Sequence, residues 1–209
     1  MNTTPWSQNV ILADADYVDK VAFDLIVNFE RMIGRPIPKA DMARWLECVA
    51  LDGGMRNGEQ ETMVALVHQK SKSQLENFIP GKYDDELNGK AFKGQLGEFT
   101  INAYPIEEIA GTEDYFCEAL ELIIGQQEVK RVMVIPNAED EHIYNKVRTI
   151  LNRLDDERQQ DEASAGAEKR ITVFAMQPMQ GGAFRQEILG YSLMAAVGIR
   201  SEELKTDNG

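Results

Sequence analysis

The sequence is poor in cysteine, and it has neither a long apolar run nor a signal-peptide pattern. Its two cysteines, Cys48 and Cys117, lie far apart and belong to no Cys-x-x-Cys pair. This spacing argues against a disulfide framework and against a zinc knuckle. No apolar stretch is long enough to cross a membrane, and the N-terminus lacks the charged and apolar regions of a secretory signal. We therefore expect a cytoplasmic protein.

Basic residues are also scarce. The chain has 22 Lys and Arg against 35 Asp and Glu, which gives a formal net charge of −13 at pH 7. Nucleic-acid binding draws most of its affinity from basic side chains that neutralise phosphates, so a nucleic-acid partner requires a local basic patch or bridging divalent cations here. The same negative surplus repels anionic membrane surfaces, and no membrane partner is expected.

What the sequence does contain is enough apolar residue for one core. Hydrophobic residues make up 43% of the 209 residues, so we expect a single domain over residues 1–200 and a polar tail over 201–209. The stretch 155–169 has no apolar face and is predicted to be a mobile acidic insertion. Apolar runs predict five strands, at residues 10–13, 62–67, 99–104, 129–135 and 171–176.

Helical periodicity lies between these strands. Apolar residues recur three and four positions apart in several segments, and the predicted helices are 18–33, 40–51, 73–79, 112–124, 139–154 and 184–197. This alternation is typical of an α/β domain, a three-layer sandwich with a mainly parallel five-stranded sheet of Rossmann-type order. In such sheets ligands bind beyond the carboxyl ends of the strands, where the strand order reverses.

Acidic residues follow several of the predicted strands. Asp14 and Asp16 follow the first strand, Glu139 and Asp140 follow the fourth, and Asp114 lies at the start of a middle helix. Carboxylates that converge on one crevice repel each other unless a hard cation lies among them, and Mg²⁺ or Mn²⁺ takes such oxygen ligands. We predict Asp14, Asp16, Asp114 and either Glu139 or Asp140 as metal ligands, with Asp14 and Asp16 as the catalytic pair.

Helix capping is the alternative explanation for most of these acids. Asp16 is expected to cap the helix that follows it. Four others occupy predicted first turns, where the helix dipole favours anions, and they are Glu113, Asp114, Glu139 and Asp140. Asp14 has the weakest capping explanation, because it ends a buried strand and lies outside a first turn.

Other residues after strands carry weaker signals. His68 follows the second predicted strand, and the glycines of Gln180-Gly181-Gly182 can present backbone N–H groups to a phosphate, although such a turn needs glycine anyway. The acidic residues predict Mg²⁺ or Mn²⁺ as the cofactor. No nucleotide or flavin motif occurs. Leu193 and Met194 of the last helix are predicted core residues, with a homodimer contact as the alternative.

The order of these features resembles the PIN-like and NYN ribonuclease domains over about residues 10–176. That resemblance implies a PIN-like fold and a metal-dependent nuclease, in which Asp14 or Asp16 is the first acidic motif. Asp114 in Gly111-Thr112-Glu113-Asp114 matches the second motif. The family's acidic turn after the fourth strand is here Pro136-Asn137-Ala138-Glu139-Asp140, with Asn137 where an acid would stand. The resemblance therefore implies a degenerate or weak nuclease-like domain.

A second resemblance begins at the same residues. Asp14-Ala15-Asp16 is similar to the first motif of haloacid-dehalogenase-type phosphatases, and this resemblance implies Asp14 as the nucleophile and Asp16 as the acid/base. The later Lys and Gly-Asp-x-x-x-Asp motifs of those phosphatases are not found.

The whole chain also resembles an uncharacterised protein family of gut bacteria. The segments that carry this resemblance are Ala-Asp-Tyr-Val-Asp-Lys-Val-Ala-Phe and Gln-Glu-Ile-Leu-Gly-Tyr-Ser-Leu, and it implies no activity. The competing class is a non-catalytic interaction protein on the same fold.

Overall fold

A computed structural model describes residues 5–108, 111–160 and 169–205. The strands are β1 (Asn9–Asp14), β2 (Ala40–Asp41), β3 (Glu61–Gln69), β4 (Phe78–Ile79), β5 (Lys90–Gly94), β6 (Gly97–Ile106), β7 (Arg131–Ile135), β8 (Arg170–Ala175) and β9 (Arg185–Ile188). The helices are α1 (Ala15–Ile33), α2 (Met42–Asp52), α3 (Thr112–Ile124), α4 (Glu141–Gln160) and α5 (Leu189–Ala196). None of the helices in this part of the chain is both long and apolar enough to span a membrane.

The main sheet has seven strands in the order β5-β6-β3-β1-β7-β8-β9. Only β5 is antiparallel to its neighbour, and every other pair is parallel. The chain builds outward from β1 through β3 to β6, and then returns to the other side of β1 for β7, β8 and β9. The strand order therefore reverses at β1, as in other doubly wound sheets. Strands β2 and β4 form a separate short parallel pair.

Strand β1 is buried on both faces, which explains its unbroken apolar sequence. Alternate residues of a strand point to opposite faces. Ile11 and Ala13 belong to the core shared with α1, α2 and α5, whereas Val10 and Leu12 belong to the core shared with α3 and α4. All four side chains are at most 1% exposed. The predicted α/β architecture, a mostly parallel sheet flanked by helices, is confirmed.

The prediction of five strands was wrong, because two edge strands were missed. Strand β5 lies in a stretch for which neither strand nor helix is predicted, and β9 lies within the predicted helix 184–197. Both strands are short edge strands that carry polar residues. In β5 only Phe92 packs inward, where its ring stacks on Phe99 at a centroid distance of 4.8 Å. The parallel pairing of β9 with β8 begins at Arg185 opposite Thr172.

The predicted helix over residues 73–79 was also wrong. The Asp19 carboxylate accepts hydrogen bonds from the backbone N–H groups of Glu76 and Asn77, at 3.0 and 2.9 Å. These bonds from α1 hold the segment outside helical geometry, and Phe78 then pairs with Ala40. A contact between residues more than fifty positions apart overrides the local apolar periodicity.

The two polar segments differ in part from the prediction. Residues 155–160 continue α4 rather than starting an insertion, and residues 161–168 lie outside the described residues. Residues 201–204 form a short 3₁₀ helix, where Glu203 accepts hydrogen bonds from the Arg35 guanidinium at 2.7 and 2.9 Å. Residues 206–209 also lie outside the described part. Leu193 is fully buried and Met194 packs against the same core.

Candidate functional site

A polar crevice lies at the carboxyl ends of β1 and β7, where the strand order reverses. Its volume is about 380 Å³. Residues from both sides of the reversal point line it, and they are Asp14, Asp16, Tyr17, Lys20, Gln69, Lys72, Thr112, Glu113, Asn137 and Ile143. This is the position where doubly wound sheets bind their ligands. Of the acids predicted as ligands, Asp14 and Asp16 line the crevice together.

Asp14 is the last residue of β1 and caps α1. Its Oδ1 accepts a hydrogen bond from the backbone N–H of Tyr17 at 3.1 Å, so Asp14 and not Asp16 is the N-cap. The expectation for these two residues was wrong because α1 begins directly after β1, with no loop residue between them. The pKa of Asp14 is raised to about 6, chiefly by burial and in part by the neighbouring charge of Asp16, against the lowering effect of the hydrogen bond from the Tyr17 N–H.

Asp16 occupies the first turn of α1 and reaches across to the end of β3. Its Oδ2 accepts the backbone N–H of Gln69 at 2.8 Å, and its Oδ1 lies 3.3 Å from Lys72 Nζ. The side chain is 15% exposed. These two contacts orient the carboxylate into the crevice, and each oxygen keeps a lone pair for a further partner.

Tyr17 lines the crevice together with the two carboxylates. The residue is 5% exposed, and its hydroxyl makes no hydrogen bond of standard geometry within the described part of the chain. Burial raises the pKa of this hydroxyl, and the nearby carboxylates of Glu139 and Asp14 raise it further. The hydroxyl is thus directed towards Glu139, which borders a different depression, and not towards the open part of the crevice.

The acids at the start of α3 divide between the crevice and the surface. Glu113 lines the crevice, and its Oε1 lies 2.8 Å from Lys146 Nζ and 3.2 Å from His142 Nε2. Asp114 does not line the crevice. It is 67% exposed and forms an ion pair with Lys146 at 3.0 Å. The resemblance-based match therefore points to Asp114, whereas the neighbouring Glu113 faces the reversal point.

Glu139 and Asp140 also lie outside the crevice lining. Glu139 borders a smaller depression of about 180 Å³, together with Ala175 and Met176. Asp140 precedes α4, and its Oδ1 accepts the backbone N–H of His142 at 2.9 Å, as an N-cap does. Within residues 5–108, 111–160 and 169–205, no three His, Cys, Asp or Glu side chains are grouped so that they could hold a metal ion.

The remaining candidates have structural partners. His68 lies inside β3, not after it; it is buried and stacks on Tyr83 at a centroid distance of 3.6 Å. Gly182 allows a close approach to α4, because a β-carbon there would lie 2.3 Å from Asn152 Oδ1. Neither residue lines the crevice.

Sequence reasoning missed the two lysines of the crevice. Lys20 lies one helical turn after Asp16, a spacing that places both on one side of α1 and that the sequence already displays. Lys72 lies in the turn after β3 and reaches the crevice only because β3 is the neighbour of β1. No local pattern could have identified Lys72 without the strand order.

The chain was compared with protein families, curated proteins and solved structures. A model described as a family of unknown function, DUF6621, matches residues 3–204. No curated protein and no solved structure matches the chain.

Proposed function

The chain belongs to DUF6621, a family of unknown function, and we propose that its crevice is a weak Mg²⁺- or Mn²⁺-dependent nuclease-like site. The observation that supports this proposal is the pairing of two carboxylates with two lysines in one crevice at the reversal of the strand order. Asp14 and Asp16 are the proposed cation ligands. Lys20 and Lys72 are the proposed contacts for a phosphate group. The PIN-like fold that the sequence resemblance implies is included in this proposal.

Two carboxylates are sufficient for this cation in a substrate complex. Mg²⁺ keeps several waters and is often bound through one or two carboxylates together with the phosphate of the substrate, rather than by a complete protein cage. The side chains present therefore fit a cation shared with a substrate, and they do not fit a site closed by three or more acids. When bound, such a cation lowers the pKa of a coordinated water and polarises the phosphate.

The crevice lining carries three carboxylates, Asp14, Asp16 and Glu113, against two lysines. A phosphodiester would therefore be held by Lys20 and Lys72 only together with the proposed cation. Asn137, which stands where the nuclease pattern has an acid, offers an amide in place of a third charge, and this is consistent with a weak activity.

Asp14 is in a strained electrostatic state that a cation would relieve. Its pKa is raised to about 6 mainly by burial, so at pH 7 a carboxylate is held ionised in surroundings that disfavour its charge. Groups perturbed in this way are enriched at functional sites. Cation binding should therefore depend on pH mainly through the Asp14 carboxylate.

The phosphatase resemblance has less geometric support. It depends on Asp14 and Asp16 as alternate residues of an extended chain, which point the same way. Asp16 instead lies in the first turn of α1, so that extended spacing is not formed. A non-catalytic interaction protein remains the second candidate. The ion pairs of Asp16 with Lys72 and of Asp114 with Lys146 favour it, because they neutralise acids internally.

The test is a cleavage assay with a fluorescent single-stranded RNA and, in parallel, a chromogenic phosphate monoester, each with Mn²⁺ and with EDTA. We expect slow, Mn²⁺-dependent cleavage of the RNA. Asp16→Asn should abolish this cleavage, and Asp41→Asn should leave its rate unchanged. Asp41 is a matched control because it caps α2 at an exposed position. Release of phosphate from the monoester alone would favour the phosphatase, and no turnover of either substrate would favour the interaction protein.

A further inference from the structure

A cluster of arginines lies at the amino ends of the strands, whereas the crevice lies at their carboxyl ends. Arg131, Arg170 and Arg185 are the first residues of β7, β8 and β9. In the register of the sheet Arg131 is directly opposite Arg170, and Arg185 is opposite Thr172. Three neighbouring strands therefore each begin with an arginine at the amino ends of the sheet.

These arginines share one face of the sheet. Residues that pair across parallel strands point to the same side, and Arg131 also pairs with Asn9 of β1. Arg131 Nη1 donates a hydrogen bond to Asn9 Oδ1 at 3.0 Å. Ile11, two residues further along β1, belongs to the core under α1, α2 and α5. The cluster thus lies at the rim of that core.

The turn after α2 packs against the arginine cluster. A β-carbon built on Gly54 would lie 3.8 Å from Arg185 Nη1 and 4.0 Å from Arg131 Nε, so both guanidinium groups border this glycine. Gly54 has a φ of +92°, a conformation that favours glycine. Arg56 follows two residues later, with an exposed side chain. The backbone of the turn therefore approaches the guanidinium groups without a side chain between them.

The charges of this cluster are not balanced locally. Arg131 Nε is buried and has no hydrogen-bond partner among the described residues. Burial lowers the pKa of Arg131, and the charges of Arg170 and Arg56 lower it further. Among the described residues, the ion pair of this cluster with a carboxylate is at the outer member, where Arg185 Nη2 lies 3.8 Å from Glu187 Oε1. The repulsion between these like charges at the amino ends of the strands destabilises the fold unless an anion compensates it.

We propose that Arg131, Arg170 and Arg185 bind a compact oxyanion of the phosphate class. Guanidinium groups present planar pairs of N–H donors that match phosphate oxygens, and such charge-assisted bonds are among the stronger polar contacts in proteins. The unpaired Arg131 Nε would then donate to an oxygen of the anion. Strand β1 is six residues long, so the amino ends of the strands lie roughly 20 Å from the crevice at their carboxyl ends. The anion site is therefore distinct from the proposed cation site.

The test uses isothermal calorimetry with inorganic phosphate and with adenosine 5′-monophosphate, on wild type, Arg170→Gln and Arg44→Gln. Arg44 is a matched control, because it is an exposed arginine on α2 outside the cluster. We expect saturable binding that Arg170→Gln weakens about tenfold and that Arg44→Gln leaves unchanged. Equal affinity for the two probes means that the oxyanion alone is recognised, and tighter binding of the nucleotide means that the phosphate is carried on a larger ligand. No binding, or equal weakening by both variants, overturns the proposal.

A second measurement covers the case in which a variant affects folding. In phosphate-free buffer Arg170→Gln removes a repelled charge, so we expect its melting temperature to exceed that of wild type. Saturating phosphate should raise the melting temperature of wild type more than that of the variant, because a ligand stabilises the state that binds it. A variant that is less stable than wild type in both buffers contradicts the proposal.

Discussion

Asp16 and Gln69, which are 53 residues apart in the sequence, are joined by a hydrogen bond of 2.8 Å from the backbone N–H of Gln69 to Asp16 Oδ2. This bond connects the first turn of α1 to the last residue of β3, and Lys72 of the following turn lies 3.3 Å from the other carboxylate oxygen. The wall of the crevice is therefore fixed by two elements, and its shape depends on the strand order.

The first prediction concerns the stability of Asp14→Asn. The folded pKa of Asp14, about 6, lies above the ordinary value of 3.8. Wild type therefore loses stability as pH rises from about 4 to about 6, since the unfolded chain releases this proton first. Asparagine cannot ionise and caps helices as well as aspartate does. In EDTA at pH 7 we expect Asp14→Asn to be more stable by about 2–3 kcal/mol, measured by urea unfolding.

The pH dependence separates this explanation from a general effect of the substitution. The advantage of Asp14→Asn should be small at pH 4 and should grow up to about pH 6. Asp41→Asn, at the exposed cap of α2, reports the cost of exchanging a capping carboxylate for an amide. An advantage of Asp14→Asn that is already complete at pH 4 would contradict the raised pKa.

The second prediction concerns the bond between Asp16 and Gln69. Asp16→Ala leaves the Gln69 N–H without its acceptor and should cost about 1–3 kcal/mol in the free energy of unfolding. Asp16→Asn keeps an acceptor oxygen and should cost less. Urea unfolding of both variants at pH 7 measures the difference. Equal losses would mean that the hydrogen bond does not stabilise the fold.

The third prediction concerns Gly97 at the start of β6. Gly97 has a φ of +103°, and a β-carbon there would lie 1.9 Å from the backbone oxygen of Gln60. Gly97→Ala should therefore cost more than about 2 kcal/mol in the free energy of unfolding, because overpacking adds to backbone strain. Gly89→Ala is the control, since Gly89 has a φ of +73° and no atom within 4 Å of its built β-carbon. A loss at Gly97 no larger than at Gly89 would contradict the close packing of the start of β6 against Gln60.

The sequence was sufficient for the central strands and the helix boundaries that depend on local signals. Residues 10–13 are apolar because β1 is covered on both faces, and Gly34 ends α1 as a left-handed C-cap. Edge strands escaped detection because one side of each has no partner strand, so β5 and β9 need no continuous apolar run. The helix expected at residues 73–79 is absent because of a distant contact with Asp19.

The candidate site was predictable only in part, for a similar reason. Asp14 and Asp16 follow the first strand, and position alone identified them. Which of the two caps α1 depends on whether a loop residue separates strand from helix, and both possibilities fit the sequence. Lys72 enters the crevice because β3 lies beside β1, which is a property of the strand order and not of any local segment.

The most direct test of the proposed cation site is calorimetric titration of the protein with Mn²⁺ at pH 7 and at pH 5. We predict saturable binding at pH 7 that is weaker at pH 5, where Asp14 is mostly protonated. Asp14→Asn and Asp16→Asn should each abolish it, and Asp41→Asn should leave it unchanged. No saturable binding by wild type, or equal binding by all four proteins, would contradict the assignment of the crevice as a divalent-cation site.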